Sequence, residues 1–262
     1  MTKLQWAVIA SAIGMFFILY LGCETTAEDI KALETSRALA AESTDISTLV
    51  QEAKSELGNI PSSSVLALET ELENALADSA RAEALKSLAS KWYELGYPAI
   101  SGYYAQEIAE LLGTEESWAI AGTTYTICIQ QSQEEKVKDF CAGRAVQAFE
   151  SAISLNPEEI AHQVNLALAY TSRPPQDNPM KGILMLRELN QKEPDNVLVL
   201  NTLARLALQT GQYSKAVERL ERALELEPGN SNTICLLADA YAGNGDASKA
   251  EAFAQQCRNL PR

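Results

Sequence analysis

The sequence predicts an all-α protein, an α-solenoid of stacked antiparallel helix hairpins behind an N-terminal transmembrane helix. Three observations predict it. Residues 4–23 carry no charged side chain. Downstream, an alanine-rich helical pattern returns at intervals of roughly 34 residues, the mark of a repeat architecture. Of the 262 residues, 47% are apolar and 21% charged, a balance that suits a folded chain and disfavours bulk disorder.

The first element is residues 1–23. At about 1.5 Å per helical residue the uncharged run is roughly 30 Å long, which matches a hydrocarbon core. Trp6 and Tyr20 stand near its ends, where aromatic rings favour the headgroup level. Lys3 precedes the run and Glu24, Glu28 and Asp29 follow it, so the remainder is expected outside the cytoplasm. Residues 4–22 thus read as a single-pass anchor in a bacterial inner membrane with a periplasmic C-terminal domain. The competing reading is a lipoprotein signal. Tyr20-Leu21-Gly22-Cys23 resembles a bacterial lipoprotein box, with lipidation at Cys23, although Tyr20 departs from the usual aliphatic residue. The length of the apolar run favours the uncleaved helix.

Residues 24–81 form an acidic helical spacer. They hold twelve carboxylates against Lys31, Arg37, Lys54 and Arg81, so the segment carries 4 − 12 = −8 of the chain's net −14. Leu49, Val50, Ala53 and Leu57, then Val65, Leu68, Leu72 and Leu76, recur at helical spacing. Leu57-Gly58-Asn59-Ile60-Pro61 reads as a stop between two helices, which predicts a degenerate hairpin before the first clear repeat.

From residue 82 the repeats are explicit. Ala216, Leu220, Ala223 and Pro228 share their spacing with Ala145, Phe149, Ala152 and Pro157. Upstream of Ala216 the partner helix shows Leu200, Leu203-Ala204 and Ala207, with Gly211 at the turn. Ile234, Leu237-Ala238, Tyr241 and Gly245 repeat that pattern 34 positions on. Trp118, Ala121-Gly122 and Tyr125 give another copy, and Leu85, Leu88-Ala89, Trp92 and Gly96 an earlier one. Small residues let two helices approach, large ones fill the space between hairpins, and proline ends the second helix. The pattern resembles the tetratricopeptide repeat family over residues 82–262, in about five units: 82–114, 115–159, 160–196, 197–230 and 231–262. Two units are long. The insertion at 129–141 is expected to lengthen both helices or to project as a loop. The one at 172–178 contains Asn178-Pro179, which reads as an N-cap followed by proline at the first helical position.

On this register Cys128 ends one helix and Cys141 begins the next, while Cys235 and Cys257 sit on opposite helices of the last hairpin. Both pairs are candidate disulfides. With Cys23 at the membrane end, the remaining four cysteines form an even set suited to an oxidising space.

The composition excludes several functions. A net charge of −14 argues against nucleic acid as a partner. His162 is the single histidine, and there is no phosphate loop, nucleophile elbow or zinc motif. No catalysis, metal, cofactor or small-molecule substrate is expected. What the resemblance implies is a concave surface lined by the first helix of each unit, on which an extended or helical protein segment binds. Asn165, Leu168, Asn201, Arg205 and Leu208 are the expected lining, with asparagines for a peptide backbone and Arg205 for a carboxylate. Relatives that grip chaperone tails use a paired Lys/Asn clamp. Arg205 and Asn201 match it loosely and Ala119, Thr123 and Val164 do not, so that activity is not implied. The expected role is a membrane-anchored interaction module or scaffold with envelope or inner-membrane proteins as partners. Two alternatives remain: a structural subunit of an inner-membrane complex held by its transmembrane helix, and an anchored chaperone near the export channel or in cytochrome maturation.

Overall fold

The computed structural model describes residues 45–260. The expected anchor at 4–22 and Cys23 lie outside them. Among the described residues no helix is long and apolar enough to cross a membrane.

Twelve helices occur among the described residues. The first four are α1 (Ile46–Glu56), α2 (Asn59–Asn74), α3 (Asp78–Glu94) and α4 (Pro98–Leu112). Next come α5 (Glu115–Gln131), α6 (Glu135–Leu155), α7 (Ile160–Ser172) and α8 (Lys181–Lys192). The last four are α9 (Val197–Gln209), α10 (Tyr213–Leu226), α11 (Ser231–Asn244) and α12 (Ala247–Arg258). From α3 onward they pair as five antiparallel hairpins, each packed on the next, and α5, α7, α9 and α11 touch in succession. The unit is an all-α solenoid.

Local chemistry explains where each helix begins and ends. Thr114, Glu159, Asn196 and Asn230 accept a hydrogen bond from a first-turn amide of α5, α7, α9 and α11, satisfying a donor the helix cannot. Second helices stop two residues before Pro157, Pro194 and Pro228, because the residue before proline is driven out of the helical region. Gly211 and Gly245 close the tight turns of the last two hairpins at φ of 70° and 88°, left-handed values that a β-carbon resists.

The core runs along the stack as linked clusters. Ala204, Ala216, Leu220, Leu237 and Tyr241 form one at the rear. In the second hairpin Phe149 packs against α5, and a β-carbon on Gly122 would lie 2.7 Å from its ring. Glycine there brings the two helices together over a large aromatic side chain.

Three sequence expectations change. The spacer's helices do not pair like the others: α2 packs mainly on α3 and α1 on α4. Ala53 and Val65 join Leu85, Leu88, Trp92 and Ile100 in one cluster, so the division between residues 81 and 82 falls inside α3. The physical reason is that the first hairpin leaves an apolar face open, and α1 and α2 cover it. The insertion at 129–141 makes no projecting loop. It lengthens the hairpin, giving a 21-residue α6 reached through Ser132, Gln133 and Glu134. Finally, Asn178 is not an N-cap. Helix α8 starts at Lys181 after Met180, and Asn178 contributes its backbone carbonyl to the Lys181 amide at 3.1 Å.

Candidate protein-interaction surface

The first helices present a common open stripe. On α9, Val199, Leu200, Leu203 and Ala204 are buried, while Leu198, Arg205 and Gln209 share the exposed side. On α7 the corresponding residues are Asn165 and Leu168, both half-buried. On α5 it is Ile120, 55% exposed, with Thr123 one turn on. On α11, Asn232 and Asp239 are exposed, and the Arg205 guanidinium donates to Asn232 Oδ1 at 3.4 Å. That long bond joins the stripes of neighbouring hairpins and leaves most of the guanidinium's donors for a ligand.

Of the five expected lining residues, Asn165, Leu168 and Arg205 lie on this stripe. Asn201 does not serve it. It is 2% exposed, and its amide exchanges hydrogen bonds with Thr233 Oγ1 at 2.9 and 3.0 Å. Asn201 therefore ties α9 to α11 inside the stack, where an unmet amide would be costly. Leu208 is half-buried and packs against the rear core cluster. Sequence reasoning missed Ile120 and Leu198. The signal for them was a large apolar residue one position off the packed register, where the pattern calls for a solvent-facing one.

The cysteines take both expected partners: Cys128 is bonded to Cys141 with Cα atoms 6.1 Å apart, and Cys235 to Cys257 at 5.0 Å. The first pair is fully buried where α5 and α6 overrun the usual turn. Cys235 and Cys257 are half-buried.

The titratable groups of the core are structural. Burial pushes the Tyr104 hydroxyl up to about 12 and that of Tyr125 higher still. His162 is buried, with neither ring nitrogen hydrogen-bonded, and Nε2 lies 4.0 Å from Glu115 Oε2. Among the described residues no three histidine, cysteine or acidic side chains gather in a metal-binding arrangement.

A solenoid of paired helices with small-residue contacts within each pair and a side-chain stripe on its first helices defines a helical-repeat protein. The tetratricopeptide repeat family profile matches residues 181–224 and 207–258, so the chain carries tetratricopeptide repeats there. Such repeats act as protein-interaction modules and bind protein partners. No curated protein matches the sequence. Among solved structures, TTC0263, a thermophilic TPR protein of Thermus thermophilus, is 19% identical over 70% of this chain and 90% of its own, with a TM-score of 0.49. MamA residues 41 to the end from Desulfovibrio magneticus is 16% identical over 71% and 97%, with a TM-score of 0.42. YrrB, described as a TPR protein with an unusual peptide-binding site, is 14% identical over 73% and 88%, with a TM-score of 0.37.

Proposed function

We propose that this chain is a protein-interaction scaffold held at the outer face of a bacterial inner membrane by residues 4–22. A segment of a partner protein lies along the first helices. The observation that carries this reading is that three successive first helices each leave an apolar and a polar side chain at least partly open: Ile120 and Thr123, Leu168 and Asn165, Leu198 and Arg205. Apolar side chains at such positions supply affinity, and Arg205 supplies orientation through a carboxylate or carbonyl. The reading includes no catalytic step, cofactor or small-molecule substrate.

Two features support the location. The uncharged run from Leu4 to Gly22 has the length of a membrane span. Two bonded cysteine pairs suit an oxidising compartment, since cytosolic thiols are kept reduced. Photo-cross-linkers placed at Ile120 and Leu198 in native membranes should capture one common partner band. A cross-linker at Glu218, exposed on α10, should not, and Leu198→Glu with Arg205→Glu should abolish the band. Equal capture from Glu218, or a band indifferent to the double substitution, overturns the groove.

A further inference from the structure

A cleft lies away from the first-helix stripe, at the end of the stack where the hairpin turns of α3–α4 and α5–α6 emerge. Three irregular features build it. Helix α1, outside the hairpin pattern, forms one wall with Leu49, Glu52, Ala53 and Glu56. The extended end of α5 and α6, fastened by Cys128–Cys141, forms the opposite wall with Glu134 and Val137. The Tyr97-Pro98-Ala99 turn closes the floor.

The chemistry of the lining is one-sided. Its base is apolar, and its rim holds Glu52, Glu56 and Glu134 with no lysine or arginine on the wall. Glu52 makes no ion pair among the described residues. Glu56 accepts a hydrogen bond from the Tyr97 hydroxyl at 3.0 Å, which fixes that carboxylate at the rim and leaves its charge. Glu134 meets Lys136 at 3.4 Å, with both side chains about half exposed, a surface pair that a competing cation displaces at little cost. An apolar hollow ringed by carboxylates from separate elements suits a cation carried next to an apolar group.

We propose that this cleft docks a basic, apolar segment of a partner protein, seating an aliphatic side chain between Ala53 and Val137 and a neighbouring lysine or arginine against Glu52 and Glu134. The site does not depend on the first-helix stripe. Its occupant has the opposite charge to the chain's own −14, so the overall field also favours encounter.

The test uses the full chain in non-ionic detergent and a fluorescent pentapeptide, Ala-Lys-Leu-Lys-Ala, with empty micelles as the partition control. Binding should shift the methyl resonances of Leu49 and Val137 and leave those of Leu168 and Leu198 in place. Glu52→Gln with Glu134→Gln, both exposed and neutral to folding, should weaken binding roughly three- to tenfold, as expected for two solvent-screened contacts. Raised salt should weaken the wild type more than the double variant. A peptide with glutamate in place of lysine should not bind. No binding at about 1 mM peptide, equal binding of the glutamate peptide, or shifts confined to Leu168 and Leu198 each overturns the proposal.

Discussion

The rear of the solenoid, α9 to α12, and its middle, α5 to α8, solve the same packing problem differently. In the rear both hairpins turn on a left-handed glycine, Gly211 or Gly245, and the helices are 12 to 14 residues long. The middle hairpins lack that glycine. One overruns the turn and is fastened by Cys128–Cys141; the other enters a Pro174-Pro175 loop. There Lys181 reaches back to the Tyr170 hydroxyl at 2.7 Å and lies over its ring. Arg173 at the end of α7 holds Glu135 and Asp139 of α6, each at 2.6 Å. Where a tight turn is absent, links hold the helices: Cys128–Cys141 and Lys181–Tyr170 within a hairpin, and Arg173 between two hairpins. The rear hairpins combine the tight glycine turn with links of their own, Cys235–Cys257 among them; the middle hairpins have the links without the turn.

The comparison breaks first in the core. Phe149→Ala removes a ring seated on Gly122 and should destabilise by about 3–5 kcal/mol, while Leu220→Ala in the rear should cost about 2–5 kcal/mol. Because each hairpin touches mainly its neighbours, the damage should stay regional. Hydrogen exchange should show lost protection in α5 and α6 for the first variant and in α9 to α11 for the second. The fluorescence of Trp92 and Trp118 should respond to the first alone. Uniform loss of protection in both variants would make the stack one cooperative block and remove the distinction.

Reduction separates the regions next. Closing loops of these lengths, with sequence separations of 13 and 22, stabilises by about 3 kcal/mol each on the loop-entropy account. Access differs: Cys128 and Cys141 are 0% exposed, whereas Cys235 and Cys257 are half-buried. Under graded reductant followed by alkylation, Cys235 and Cys257 should label first. Cys128 and Cys141 should resist until the second hairpin opens. Simultaneous labelling, or the reverse order, contradicts the fastener role given to the middle pair.

Much of this was legible in the sequence, and the illegible part has a common cause. Helix pairing from α3 onward followed from the spacing of Ala, Leu and Pro, because that spacing states which residues must touch within and between hairpins. The cysteine partners followed from helix register. Asn201 was misread because register places it on the first-helix face, but only the neighbouring hairpin reveals that Thr233 sits opposite and buries it. The position of α1 over α4 was likewise invisible, since a packing partner more than 40 residues away leaves no mark in local periodicity. The anchor reading rests on residues 1–23 and stands outside this comparison.

The smallest effect concerns the Arg173 link and gives the comparison a pH dependence. The Glu135 carboxyl is held below the usual carboxylate range, first by its hydrogen bond to Lys138 and then by Arg173. A group depressed on folding contributes stability above its unfolded value, near pH 4.3, and loses it as pH falls through the folded value. Acidification below about pH 4.3 should therefore loosen the α6–α7 contact in the wild type. Glu135 is exposed, so screening keeps the effect small. Carboxylates other than Glu135 and Asp139, the two that Arg173 holds, act alike in the wild type and in Arg173→Ala, so the difference between the two isolates this link. Thermal melting followed by circular dichroism from pH 6 to pH 3 should show a modest gap between the proteins at pH 6 that closes as pH falls. Lys138 remains in both, so part of the wild-type acid dependence should survive in the variant. Arg222, which holds Asp195 and Glu225 in the regular rear, supplies the control. Its replacement by alanine should leave the wild-type gap at the middle hairpins unchanged. Parallel pH profiles for wild type and Arg173→Ala would show that the α6–α7 contact stands on packing alone.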